Sequence, residues 1–359
     1  MGEDPGYLSN KRMALEIGIG LAVLSRRTLS LPVDRPIGWG PRPALVGEEA
    51  GHPSSLRDLY ELPVEVHGDD AFESLAASSD TRVVEWPDLH EAVYTDDPGA
   101  EDLESFALGR PHVSWDPSWD DEPVVQIAAR GLGSYAYFFH LDTDRRSSLF
   151  ELLQSVCPKA PYRVFAEEVT HELGHFNAAH IRRTDHLAGV PDARKVTPWM
   201  IRDNLASVLP ADERLVVCTE ADPGAAAFVP LLEHFEDVVF LSDFVLGHPD
   251  LRGRFSTLER HDDTALAVVT QEVAARAERF VGTFGSTFTG IIHRQRHLAA
   301  TSEPFLFTGD FLGGGTRFER CAYRDVQPGP FTWNRHAYPV PAGALSWLRE
   351  WPECVARIR

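Results

Sequence analysis

Apolar residues recur at Met13, Ile17, Leu21 and Leu24. That is the spacing of one helical face, and it predicts a helix from about Lys11 to Arg27. Thr28-Leu-Ser-Leu-Pro32 then reads as a short strand closed by proline. Residues 33–122 are rich in Pro, Gly, Asp and Ser and read as loop-heavy, with a strand-like break at Arg82-Val-Val-Glu-Trp86. From about residue 160 the pattern becomes regular. It predicts a helix over 162–173, a strand over 176–183, a strand at Leu215–Thr219, a helix over 224–235 and a strand at Val238–Leu241. A helix over 264–277, a strand at Arg279–Gly282 and a helix over 287–299 follow.

Strands alternating with helices imply parallel βαβ units, an α/β class and a doubly wound sheet. Such sheets bind ligands beyond the carboxyl ends of their strands. Three polar segments fall at those ends and are expected to converge: Arg182-Arg183-Thr184-Asp185, Thr219-Glu220-Ala221-Asp222 and Gly282-Thr283-Phe284-Gly285-Ser286-Thr287. There is no internal repeat and no low-complexity tract.

Length and charge narrow the function. The chain has 359 residues, enough for two domains of ordinary size. Hydrophobic residues make up 43% and charged residues 25%, the balance of a globular protein. A net charge of −20 argues against nucleic acid or an anionic membrane as partner, since both select basic surface. The opening MGEDPGYLSN is polar and acidic, where a secretion signal needs a basic start and an apolar run. The apolar stretch Ile17–Leu24 is too short to span a membrane. Cys157, Cys218, Cys321 and Cys354 are scattered, with no CxxC spacing. A reducing, cytoplasmic setting is expected.

Two candidate chemistries lie within residues 171–185. His171-Glu172-Leu173-Gly174-His175 has the letters of a zinc-peptidase helix, in which two histidines four apart face one ion and the glutamate acts as general base. Helix geometry opposes it. Phe165, Val169 and Leu173 form an apolar stripe that should face the core, and the two histidines lie roughly 120–200° away from it, on the solvated side. The positions where an extended motif would carry Gly and a third His hold Ala178 and Ile181, and His180 is out of register.

His180-Ile181-Arg182-Arg183-Thr184-Asp185 offers the alternative. A guanidinium at a strand end pairs bidentately with a diphosphate. The plain reading of Arg182-Arg183 is a surface salt bridge. Two further segments favour an anion site. Gly6-Tyr7-Leu8-Ser9-Asn10-Lys11-Arg12 reads as a loop opening the first helix, and Phe280–Gly290 reads as strand, glycine turn and hydroxyl-rich helix start. Free N–H groups at a helix start favour an anion.

Taken in order, three segments resemble the GDP-fucose protein O-fucosyltransferase superfamily, which includes α-1,6-fucosyltransferases and nodulation fucosyltransferases. They are GYLSNKRMALEIGIGLAVLSRRTLSLP, HIRRTD and AERFVGTFGSTFTGIIHRQR. The resemblance covers the first 35 residues and most of the C-terminal half. It implies a GT-B fold of two Rossmann-like domains around a nucleotide cleft: residues 1–160 on the acceptor side, 161–310 holding the nucleotide sugar, and an extension, 311–359, packing back on the first. It implies an inverting, metal-independent transfer of fucose or a similar sugar from a GDP-sugar to a hydroxyl of a peptide, glycan or small molecule. No cofactor is implied beyond the donor.

Carried over residue by residue, the resemblance makes Arg182 the β-phosphate contact that stabilises departing GDP, with Arg183 supporting it. His180 would line the nucleotide pocket, and Ser286, Thr287 and Phe288 would hold the diphosphate end. Asn10 and the Gly6 backbone would approach from the first domain. Glu3 and Asp4 lie near where one relative keeps a catalytic glutamate, and they are the candidate bases; Glu48 and Glu49 are others. Asn10-Lys11 departs from the Asn-Gln of many relatives. Two other functions stay open on the sequence: a zinc metallopeptidase built on HELGH, and a non-catalytic homologue that binds a nucleotide sugar without turning it over.

Overall fold

The computed structural model describes residues 8–30, 33–34, 37, 54–62, 81–85, 90–91, 112–113, 117–128, 138–139, 155–183, 197–207, 209–283, 286–298, 331–333 and 336–338. The chain divides into two compact units. One comprises Met1–Lys159, Asp262–Ala265 and Ser346–Arg359; the other comprises Ala160–His261 and Leu266–Leu345. No helix among the described residues is long and apolar enough to cross a membrane.

In the first unit, α1 spans Leu8–Ser25. It buries Leu8, Leu15 and Ile19. The side chains of Met13, Ile17, Leu21 and Leu24 lie outside the described residues. The helix starts three residues before its predicted start. No proline or glycine stands between Leu8 and Ile17 to stop it, so Asn10, Lys11 and Arg12 are helical rather than part of an opening loop. It stops at Arg26, whose φ of 54° is left-handed, with Arg27 N–H returning to the Ala22 carbonyl at 3.1 Å. A single turn, α2 (Leu56–Leu59), begins in a capping box between Ser55 and Asp58. Strand β1 (Thr81–Glu85) pairs in parallel with β4 (Val124–Ala128). Strands β2 (His90–Glu91), β3 (His112–Val113) and β5 (Phe138–Phe139) make a small mixed sheet.

The second unit is built on a four-stranded parallel sheet. Helix α3 (Ala160–Leu173) leads to β6 (Asn177–Ile181), then α4 (Pro198–Ala206) to β7 (Leu215–Thr219), and α5 (Val229–His234) to β8 (Val238–Phe240). Three helices, α6 (Leu241–Gly247), α7 (Pro249–Ser256) and α8 (Asp263–Ala275), precede β9 (Phe280–Val281) and α9 (Thr287–Leu298). A hairpin of β10 (Phe331–Trp333) and β11 (His336–Tyr338) follows.

The sheet order is β8-β7-β6-β9. Winding runs outward from β6 through β7 to β8, then returns to place β9 on the other side of β6. The gap between β6 and β9 is therefore the topological switch point, where doubly wound sheets hold ligands.

The central strands β6 and β7 are largely apolar because they are buried. On one face Ala179, Ile181, Leu215, Val217 and Val281 pack against Ile201 and Leu205 of α4 and Leu231 of α5. Burial of this cluster removes the water-exposed apolar area that drives the unit together. On α3, Tyr162, Phe165, Val169 and Leu173 are buried, and Phe165 packs on Phe255 of α7 with ring centroids 5.6 Å apart. The predicted stripe on this helix is the one observed.

Several predicted bounds shift. Strand β6 ends at Ile181, two residues early, and β9 holds only Phe280 and Val281. The predicted helix 224–235 is a turn of 3-10 helix, Ala226–Phe228, followed by the six residues of α5. Pro230 lacks the N–H needed to continue one element into the other.

Candidate functional site

Gly174 shapes the approach to the site. It adopts φ 70° directly after α3, the left-handed turn that stops a helix and that glycine takes without strain. The chain then enters β6 with Asn177 and rises through His180 to Arg182 and Arg183. Both arginines are half-buried and follow the strand's last paired residue.

The pairing partners of β6 set what surrounds them. Ile181 lies opposite Thr219 of β7, and Ala179 lies opposite Val281 of β9. Thr219 itself, Glu220 after it and Thr283, two residues past Val281, supply polar groups. Thr283 Oγ1 donates to the His180 carbonyl at 2.8 Å and accepts from the Arg182 N–H at 3.0 Å. Thr219 Oγ1 donates to the Ile181 carbonyl at 2.6 Å, and Glu220 Oε1 accepts from the Arg183 N–H at 2.9 Å. Of the three polar strand ends picked out in the sequence, the first is bonded to both of the others.

His180 lies on the opposite face of β6 from Ala179 and Ile181, by the alternation of a strand. It is buried. Its Nδ1 lies 2.7 Å from Thr289 Oγ1, and its ring lies 4.7 Å from that of Phe288, tilted by 36°. Helix α9 therefore starts directly beside β6. Gly282 permits this closeness: a Cβ there would fall 1.9 Å from Thr289 Cγ2.

Ser286 stands immediately before α9, its N–H donating to the Thr283 carbonyl at 3.3 Å. Its side chain is 0% exposed, and its hydroxyl has no hydrogen-bond partner among the described residues. A hydroxyl at this position usually caps the first-turn N–H groups of the helix. Here it does not, and a buried hydroxyl left alone costs about 1–3 kcal/mol. The first turn of a helix also carries N–H groups with no intrahelical acceptor. The switch point thus collects two guanidinium-bearing residues, an orphaned hydroxyl and a helix start, a set suited to an anion.

The chain is similar in structure to POFUT1 and NodZ. A crystal structure of POFUT1 in complex with GDP is 12% identical, covering 83% of this chain and 95% of that one, with a TM-score of 0.40. POFUT1 in complex with GDP-fucose is 12% identical over 81% of this chain and 91% of that one, with a TM-score of 0.41. NodZ alpha-1,6-fucosyltransferase soaked with GDP-fucose is 14% identical over 80% and 88%, with a TM-score of 0.38. No family model matches the sequence, and no curated protein does.

Among the predicted site residues, His180 is in ring contact with Phe288, the Arg182 and Ser286 N–H groups both bond to Thr283, Arg183 follows Arg182, and Thr287 opens α9. Asn10 lies in the first turn of α1, not in a loop, and its side chain is outside the described residues. Glu3, Asp4 and Gly6 lie outside them altogether, as do Asp185, Glu48 and Glu49.

The HELGH segment does not form a two-histidine helix face. Helix α3 ends at Leu173, and His175 lies beyond the Gly174 turn with its Nε2 3.9 Å from Glu213 Oε2. His171, Glu172 and His175 are all exposed.

Single-residue reasoning missed Thr283 and Glu220, which lie in segments marked as polar strand ends but act on backbone rather than ligand. It also missed Asp243 in the first turn of α6. Burial, and secondarily the neighbouring Asp222 carboxylate, holds the Asp243 carboxyl above its usual range.

Proposed function

We propose that this chain is a glycosyltransferase of GT-B architecture that moves fucose, or a similar sugar, from a GDP-sugar to an acceptor hydroxyl with inversion. The observation that carries the reading is the switch point itself: Arg182 and Arg183 lie just past β6, the Arg182 and Ser286 N–H groups both bond to Thr283, and the Ser286 hydroxyl, fully buried before α9, has no hydrogen-bond partner among the described residues. A nucleoside diphosphate fits that set. Its diphosphate can accept from the guanidinium of Arg182, the Ser286 hydroxyl and the first-turn N–H groups of α9 together. The order of the three sequence motifs, with His180 against Phe288 and Thr289, supports a GDP-sugar.

In the transfer, the acceptor oxygen attacks the anomeric carbon as the bond to the β-phosphate oxygen breaks. GDP leaves with the electron pair, and the acceptor proton passes to a base, for which Glu3 and Asp4 are our candidates. Negative charge grows on the leaving diphosphate. Arg182 stabilises it from a fixed position, the electrostatic role a metal ion plays elsewhere, so the proposed mechanism is metal-independent and needs no cofactor beyond the donor. His180, stacked near Phe288, forms one wall of the nucleotide site.

A thermal-shift screen of GDP, UDP, ADP and their sugars tests this. GDP and a GDP-sugar raise the melting temperature by mass action. No response to GDP overturns the reading.

A further inference from the structure

Regular pairing stops short of the arginines. The ladder between β6 and β9 ends at Ala179 and Val281, and that between β6 and β7 ends at Ile181 and Thr219. Past those points the His180 and Ile181 carbonyls and the Arg182 and Arg183 N–H groups are bonded by the side chains of Thr283, Thr219 and Glu220. Neighbouring side chains extend the sheet by two residues, where backbone alone does not reach.

Thr283 does more than the other two. It is buried, 1% exposed, and works in three directions. Its hydroxyl donates to His180, accepts from Arg182, and sits on a residue whose carbonyl accepts from the Ser286 N–H. The two groups assigned to the diphosphate, Arg182 and Ser286, come from separate segments of the chain, and Thr283 bonds to both.

We propose that Thr283 is the positioning residue of the site: its hydroxyl sets the Arg182 backbone relative to Ser286, so that both meet one diphosphate. This rests on the reading of Arg182 and Ser286 as diphosphate contacts. A hydroxyl is the group required, because the position needs a donor and an acceptor on one atom. Valine has threonine's shape and neither function, whereas serine keeps both.

The test compares full-length wild type, Thr283→Val and Thr283→Ser by calorimetric titration with GDP, by melting temperature, and by hydrogen exchange at the Arg182 amide. Thr283→Val is expected to bind GDP about tenfold to a hundredfold more weakly and to exchange the Arg182 amide faster, while Thr283→Ser stays within about threefold of wild type. If Thr283→Val does not fold, Thr283→Ala against Thr283→Ser isolates the hydroxyl in the same way. Wild-type affinity in the valine variant, or equal losses in valine and serine, overturns the proposal and leaves the functional reading intact. If wild type binds no GDP, the functional reading fails instead. The amide alone then decides whether Thr283 holds Arg182, and unchanged protection in Thr283→Val overturns that hold.

Discussion

Thr289 leans over Gly282 so closely that a β-carbon on residue 282 would sit 1.9 Å from Thr289 Cγ2 and 2.8 Å from its Oγ1. The same hydroxyl lies 2.7 Å from His180 Nδ1. Glycine at 282 is therefore a condition for α9 starting beside β6. Gly282→Ala should push the helix start outward, lower stability by about 1–3 kcal/mol and weaken nucleotide binding in parallel. Thr289→Ser in the same chain removes the methyl that clashes worst and keeps the hydroxyl, so it should restore part of both. Melting temperatures and GDP titrations of the single and double variants decide the matter; an unaffected Gly282→Ala would show that the packing is not as tight as described.

Ser286→Ala should separate binding from stability. The hydroxyl is fully buried without a partner among the described residues, so removing it takes away a group that destabilises the free protein. The melting temperature should hold or rise slightly. If the hydroxyl meets a diphosphate, GDP affinity should fall about tenfold, the scale of a hydrogen bond to a charged group. A lower melting temperature with unchanged affinity would make Ser286 structural.

The sequence made the core of the second unit readable for a physical reason. Leu215–Thr219 is a continuous apolar run bounded by charge, and its strand matches the predicted bounds because a parallel strand buried on both faces has no polar alternation to blur them. The pairs Leu241–Val245 and Leu251–Phe255 of α6 and α7 were not read as helices. Each segment is only seven or eight residues long, the first ended by Gly247 and Pro249, so no apolar stripe of several turns can accumulate. The meeting of the β6 end with the segments after β7 and β9 followed from where strands end. The use of Thr283 and Glu220 as backbone partners did not, because it depends on the register that sets Ala179 against Val281 and Ile181 against Thr219. A one-residue slip would turn every one of those side chains to the other face. Asn10 reads as loop because Ser9 and Asn10 favour caps and turns, yet the helix already begins at Leu8.

The two free thiols among the described residues should behave differently. Cys218 is buried in β7, and burial pushes its thiol up to about 12 from its ordinary 9.0. The half-exposed Cys157 should react with Ellman's reagent in the native protein, and Cys218 only on unfolding. The folded-state value lies above the unfolded one, so the contribution of Cys218 to stability is complete below pH 9 and lost as pH rises towards 12, on the order of 4 kcal/mol in all. Denaturant titrations at pH 8 and pH 11 should show the loss in wild type and a smaller one in Cys218→Ala. Equal losses would assign the alkaline sensitivity elsewhere.

Substitutions in the HELGH segment should be nearly silent. His171, Glu172 and His175 are exposed, so Glu172→Ala and His175→Ala should shift stability by no more than about 0.5 kcal/mol and leave GDP binding unchanged. Elemental analysis accompanies them. Stoichiometric zinc in wild type that is lost in His175→Ala would revive the peptidase reading.

The guanidinium of Arg182 bears most of the account. Calorimetric titration of GDP into wild type and Arg182→Ala, with melting temperatures of both, tests it most directly. Wild type should bind saturably, and Arg182→Ala should melt as wild type does but bind at least tenfold more weakly, the loss of a charge-assisted pair at a half-buried site. No binding by wild type, or equal binding by the variant, would contradict a diphosphate held at the β6–β9 switch point.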